Sequence, residues 1–86
     1  MKEEKIILIV DDDETHRYML KSILGRWGYG TCEAEDGESA LLTIAKTDFS
    51  LVLMDVRMKG LSGLEVLSGI NDRRPSLPVV LMTSAP

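Results

Sequence analysis

The sequence predicts an α/β protein built as a doubly wound parallel sheet. Short apolar or alternating runs recur along the 86-residue chain, as expected of strands in the core of such a sheet. Amphipathic segments with helical periodicity separate these runs. Two of the runs end in aspartate, and ligands of open parallel sheets bind at the carboxyl ends of the strands. Strands that alternate with helices form parallel sheets through right-handed crossovers.

The first strand and helix are predicted from their apolar patterns and end signals. The strand covers Ile6–Val10 and leads into three aspartates, of which Asp13 is a typical N-cap. The helix covers residues 15–27, and Gly28 provides its stop. Its apolar stripe is expected to face the core and consists of Leu20, Ile23, Leu24 and Trp27.

The rest of the chain repeats this alternation. We predict strands over residues 29–34, 50–54 and 77–82, with a second helix over Gly37–Lys46. Ser62 can cap a third helix, because Glu65 stands three residues later and completes a capping box. Pro75 and Pro78 end that helix. The predicted order is β-α-β-α-β-α-β.

Composition excludes several classes of protein. The net charge is −4 and the Lys and Arg residues are scattered, which argues against direct nucleic-acid contact by this segment. The first apolar run is too short for a signal peptide or a membrane span. Cys32 is the single cysteine, and its strand position predicts a small buried hydrophobe. A cytoplasmic protein without a membrane contact fits these features.

The two strands that end in aspartate predict a cation site. If they are neighbours in the sheet, the carboxylates after Val10 and at Asp55 converge. Two such charges about 4 Å apart repel by roughly 4 kcal/mol at an effective dielectric near 20. A cluster of hard oxygen ligands suits Mg²⁺, which takes one or two carboxylates and keeps several waters.

Three motifs in order carry a family resemblance: IVDDD at residues 9–13, MDVRMKGLSG at 54–63 and LMTS at 81–84. The chain resembles the receiver domain of two-component response regulators, and more narrowly the receivers of enhancer-binding transcription activators. The resemblance implies the flavodoxin-like (βα) receiver fold. It also implies a phosphoacceptor signalling domain that controls an output domain, not a turnover enzyme.

The resemblance assigns roles to individual residues. Asp55 would be the phosphoacceptor, which takes its phosphoryl group from the phosphohistidine of a sensor histidine kinase. Thr83 would be the switch hydroxyl that bonds the phosphoryl group, and the small Ser84 would leave room for the donor. The Mg²⁺ site would include Asp55, with Asp12 as a direct ligand, Asp11 holding a metal-bound water and the backbone carbonyl of Arg57 adding an oxygen.

Departures from the family pattern predict further properties. Lys59 stands where the family usually has proline, and Ser62 replaces the usual acid before Gly63. Residues 1–86 match the N-terminal portion of a receiver and lack its fifth strand, its last two helices and the lysine they carry. An apolar fourth strand would then form a sheet edge, so we expect a homodimer through this edge or through exchanged elements.

Other functions are weighed against this one. One is a docking or dimerisation fragment whose pocket is not phosphorylated. A second is a haloacid-dehalogenase-type phosphohydrolase, in which Asp11 of an Asp-x-Asp motif would be the nucleophile. A nucleotide-binding domain is disfavoured because no glycine-rich phosphate loop follows the first strand. His16 is expected to be a solvated helical residue, in preference to a phosphohistidine.

Overall fold

The structure is a computed structural model that describes residues 5–83. Within this range, strands and helices alternate as the sequence predicts, and most predicted ends lie within a residue or two of those observed. The elements in chain order are β1 (Ile6–Val10), α1 (Glu14–Arg26), β2 (Gly30–Ala34), α2 (Gly37–Lys46), β3 (Leu51–Asp55), α3 (Gly63–Arg73) and β4 (Val79–Met82).

The four strands form one parallel sheet in the order β2-β1-β3-β4. Strand β1 therefore lies beside both β2 and β3, and Val10 is paired with Ala34 on one side and Met54 on the other. This register brings the carboxyl ends of β1 and β3 to the same edge. The predicted doubly wound α/β fold is confirmed.

The core divides between the two faces of the sheet because successive strand residues point to opposite sides. Leu8 and Val10 of β1 belong to a buried cluster with residues of α2 and α3. Ile7 and Ile9 belong to a smaller cluster with Leu24 of α1. Helices α2 and α3 thus cover one face, and α1 covers the other.

Local signals at the helix ends act as predicted. The side chain of Asp13 caps α1, and Ser62 with Glu65 forms a capping box at the start of α3. Each cap satisfies backbone N–H groups that have no partner inside the helix. Gly28 follows α1 with φ of +88°, a left-handed conformation in which a residue with a Cβ would be strained.

The prediction that Trp27 belongs to the buried stripe of α1 is wrong. Trp27 follows the last residue of the helix and is 70% exposed, and Ile23 is 38% exposed. Within residues 5–83, α1 is the one helix on its face of the sheet, so the outer part of its stripe has nothing to pack against. Leu24 alone among the predicted stripe residues is fully packed.

Two further predictions concern Cys32 and membrane contact. Cys32 is partly buried and packs against the larger core cluster, as a small hydrophobe would. No helix in the described range combines the length and apolar character needed to cross a membrane. Ser84, for which the sequence predicts a place beside the phosphodonor, lies outside the described residues.

Candidate functional site

Two buried carboxylates meet at the carboxyl edge of the sheet. Asp11 follows β1 and has no exposed surface, while Asp55 ends β3 and is 3% exposed. Oxygen atoms of both lie within 4.8 Å of each other and of a ring nitrogen of His16. All three residues line a cleft of about 350 Å³. The predicted convergence of the two strand ends is therefore confirmed.

Asp11 is fixed by a set of hydrogen bonds. Its Oδ1 accepts from the backbone N–H of Asp13 at 3.0 Å, and its Oδ2 contacts Nδ1 of His16. The Arg17 guanidinium donates to the Asp11 carbonyl at 2.7 Å, and the Asp11 N–H donates to Ala34 at 3.1 Å. These bonds hold the turn between β1 and α1 in one conformation around the carboxylate.

Asp55 is held by the loop that follows it. Its Oδ1 accepts from the backbone N–H of Arg57 at 2.9 Å, a turn typical of aspartate. The loop then folds back toward the end of β3, where the Gly63 N–H donates to the Val56 carbonyl at 3.3 Å. A Cβ at Gly63 would lie 3.0 Å from Val56 Cα and 3.2 Å from the Asp55 carbonyl oxygen. Glycine at this position lets the start of α3 approach the phosphoacceptor candidate.

The other predicted site residues lie around this pair. Arg57 lines the cleft and holds Asp55 through its N–H, and the role of its carbonyl stays a prediction. Asp12 is exposed at the rim, between this cleft and a neighbouring one that Lys59 lines. Thr83 is exposed and directly follows Met82, the β4 partner of Asp55. The structure thus gathers Asp11, Asp55 and the Arg57 backbone more closely than Asp12 or Thr83.

Among the residues that line the cleft, His16 is the one whose surroundings were predicted wrongly from the sequence. Its side chain is 25% exposed and contacts the buried Asp11 carboxylate, so it is not a solvated helical residue. A weak signal was available, because His16 is the single histidine and lies in the first turn after an acidic strand end. The contact itself depends on the angle between β1 and α1, which periodicity does not give.

The buried carboxylates of Asp11 and Asp55 lie in different electrostatic surroundings from Asp36 nearby. Two ionised carboxylates as close as those of Asp11 and Asp55 repel by roughly 3 to 4 kcal/mol at an effective dielectric near 20. Asp36 lines the neighbouring cleft, and its side chain caps α2. Hydrogen bonds from Ser39, first from its backbone N–H, lower the pKa of Asp36 from its ordinary value.

The sequence matches a known protein family over nearly its whole length. The family model of the response regulator receiver domain matches residues 7–86. The chain belongs to this family. The receiver is 42% identical over 82 residues to the transcriptional regulatory protein ZraR of Klebsiella oxytoca, and 37% identical over 79 residues to the DNA-binding transcriptional regulator NtrC of Salmonella typhimurium. These matches cover 95% and 92% of this chain but 18% and 17% of the relatives, so the receiver spans about a fifth of their length.

Solved structures of a response regulator superpose closely on this chain. The response regulator TrrA of Thermotoga maritima, in complex with Mg²⁺-BeF, superposes with a TM-score of 0.91 at 38% identity. The match covers 94% of this chain and 70% of TrrA. TrrA in complex with the histidine kinase ThkA superposes with a TM-score of 0.89. Receivers are signalling domains, and this chain has the fold and the sequence of one.

Proposed function

We propose that this receiver accepts a phosphoryl group on Asp55 from a sensor histidine kinase and so controls an output domain, which we take to be transcriptional. The observation that carries the proposal is the buried Asp55 carboxylate, placed beside a second buried carboxylate in an open cleft. Burial of two carboxylates side by side at the ends of core strands is costly and is typical of functional sites. Its position suits a nucleophile.

We propose Mg²⁺ as the cofactor, and the residues present fit it. Asp11 and Asp55 bring two oxygen ligands within 4.8 Å, and the exposed Asp12 can reach the same cleft from its rim. When bound, Mg²⁺ neutralises negative charge between the carboxylates and the phosphoryl oxygens. The complex of TrrA with Mg²⁺-BeF supports this choice. Asp11, Asp12, Asp55 and the Arg57 carbonyl are the proposed ligands.

The chemistry that follows is a single phosphoryl transfer. An oxygen of Asp55 forms a bond to phosphorus, the P–N bond of the donor phosphohistidine breaks, and the released imidazole nitrogen takes a proton. The Arg57 N–H restricts rotation of the Asp55 carboxylate. We assign to Thr83, which directly follows Met82 of the adjacent strand, the hydroxyl that bonds a phosphoryl oxygen. Because the phosphoryl group stays on Asp55 as an acyl phosphate, we do not assign the chain a turnover activity.

The proposed partners follow from the relatives. The ThkA–TrrA complex supports a histidine kinase as the phosphodonor. ZraR and NtrC are transcriptional regulators much longer than this chain, which supports an output domain that controls transcription. We assign any DNA contact to that output domain, since this segment has a net charge of −4.

The proposal is tested by intact mass after incubation with Mg²⁺ and acetyl phosphate. We expect one phosphoryl adduct per chain, sensitive to hydroxylamine because it is an acyl phosphate. Asp55→Asn should abolish the adduct. Asp72→Asn is the matched control, since Asp72 is exposed on α3, and it should leave the adduct unchanged.

Three results would contradict the proposal. An adduct that persists in Asp55→Asn would place the phosphoryl group elsewhere. Normal Mg²⁺ binding without any adduct would favour the docking fragment whose pocket is not phosphorylated. Hydrolysis of a phosphomonoester would favour the phosphohydrolase, although Asp11 is a poor nucleophile for it because both of its oxygens already contact neighbouring groups.

We also propose that two copies of this chain associate through the α1 face and the β4 edge. An apolar cleft of about 500 Å³ on that face includes Leu24, Trp27 and Leu53. Val80 of β4 is 46% exposed, so apolar surface continues to the sheet edge. Sedimentation at high micromolar concentration should detect a dimer that Trp27→Lys weakens. A strictly monomeric wild-type chain would refute association.

A further inference from the structure

His16 is the feature of the cleft that the proposed Mg²⁺ site leaves unexplained. Its ring nitrogen and one oxygen each of Asp11 and Asp55 lie within 4.8 Å of one another. Two of these three groups are buried, and the imidazole itself is 25% exposed at the mouth of the cleft. A nitrogen donor therefore stands in a group of ligands that is otherwise made of oxygen.

We propose that His16, Asp11 and Asp55 form a binding site for a divalent first-row transition ion such as Co²⁺ or Mn²⁺. This inference rests on the proposed metal-binding cleft and adds a nitrogen ligand and a second class of cation to it. Imidazole is a common ligand of transition ions, whereas Mg²⁺ prefers oxygen and keeps most of its waters. The presence of His16 should therefore change which cations the cleft retains.

The separations fit one ion. Metal–ligand bonds of about 2.0 to 2.2 Å place two ligands of an ion roughly 3 Å apart when adjacent and about 4 Å apart when opposite. Ligand atoms within 4.8 Å reach these separations after small side-chain movements. Two of the three groups are fixed by the backbone, since Asp11 accepts from Asp13 N–H and Asp55 accepts from Arg57 N–H.

The contact between His16 and Asp11 fits the same role. Nδ1 of His16 and Oδ2 of Asp11 face each other directly. A cation bound in the cleft would lie between these two atoms. The start of α1 keeps the imidazole at this position, because His16 lies in its first turn and its N–H is bonded to the cap residue Asp13 at 3.3 Å.

The alternative role of His16 is to compete with cations. A ring that only bonds Asp11 would occupy that carboxylate and weaken the binding of every divalent ion. A ligand would instead strengthen the binding of transition ions and leave Mg²⁺ nearly unaffected. The two roles predict opposite effects of removing the imidazole, so a pair of titrations separates them.

The experiment measures Co²⁺ binding by visible absorption and Mg²⁺ binding by calorimetry at fixed pH, on untagged protein. The background carries Cys32→Ser, which removes the one thiol. His16→Asn keeps a side-chain N–H near Asp11 but has no basic ring nitrogen, and His16→Ala removes both. We expect each variant to bind Co²⁺ at least about tenfold more weakly and to bind Mg²⁺ with little change.

A spectroscopic test identifies the ligand directly. Mn²⁺ bound to wild-type protein should give the electron-spin-echo modulation of an imidazole nitrogen, and both His16 variants should lose it. The assignment is unambiguous because the chain contains one histidine. Circular dichroism of each variant checks that the fold is kept.

Three outcomes would overturn the proposal. Tighter binding of both ions by the variants would make His16 a competitor. Equal weakening of Co²⁺ and Mg²⁺ would make it a structural residue. Unchanged Co²⁺ binding would place the ion elsewhere. Failure of the proposed phosphoacceptor function appears separately, as a missing acyl phosphate on a chain that still binds cations.

Discussion

The two faces of the sheet are packed very differently, although the sequence gives each an amphipathic helix. Among residues 5–83, the face under α2 and α3 carries nine buried core residues, and the face under α1 carries three. Strand β1 contributes two residues to the core on each face, since its successive residues point to opposite sides of the sheet. The imbalance reflects the cover, since two helices lie on one face and, within the described residues, one lies on the other.

This difference shows what an apolar helical stripe can predict. The stripe on α1 correctly identifies the side that faces the sheet, because Leu24 is buried there. The stripe does not show how much of α1 is covered by other parts of the protein. Ile23 and Trp27 belong to the same stripe and remain exposed, since their burial needs a second helix beside α1.

Substitution of matched isoleucines should give the largest contrast between the faces. Ile70 of α3 has no exposed surface, and Ile23 of α1 is 38% exposed. We expect Ile70→Ala to lower the free energy of unfolding by about 2 to 5 kcal/mol, from lost burial and a residual cavity. Ile23→Ala should cost less than about 1 kcal/mol. Urea denaturation measures both.

The interpretation of that pair depends on the oligomeric state. Measurements at low protein concentration test the isolated chain, in which Ile23 remains exposed. Equal costs for Ile70→Ala and Ile23→Ala at low concentration would mean that the α1 face is packed after all. A cost of Ile23→Ala that appears only at high concentration would support association through this face.

Matched glycines test the same contrast with a smaller expected effect. A Cβ at Gly37, at the start of α2, would lie 2.3 Å from Val66 Cγ2, whereas a Cβ at Gly25 of α1 would have no atom within 4 Å. We expect Gly37→Ala to cost about 1 to 3 kcal/mol through overpacking. Gly25→Ala should stabilise α1 by up to about 1 kcal/mol.

Thermal unfolding followed by circular dichroism measures this pair. The expected signs are opposite, with a lower Tm for Gly37→Ala and an equal or higher Tm for Gly25→Ala. A stabilising Gly37→Ala would show that α2 and α3 can separate without cost. A destabilising Gly25→Ala would show that α1 has a close neighbour on its outer surface.

Local signals in the sequence determined most of the fold. The order of strands and helices, the cap at Asp13 and the capping box of Ser62 and Glu65 were all predicted correctly. Each depends on residues a few positions apart, for which spacing is a reliable guide. The convergence of Asp11 and Asp55 also followed, because neighbouring parallel strands end at one edge.

Tertiary structure decided the features that depend on distances between elements. The angle of α1 against β1 places His16 on Asp11 and leaves Asp12 at the rim. The return of the loop to Gly63 fixes the backbone around Asp55. Exposure of Trp27 depends on what lies beside α1. Periodicity gives a residue its face on one element, but a contact needs the relative placement of two, and only packing supplies that.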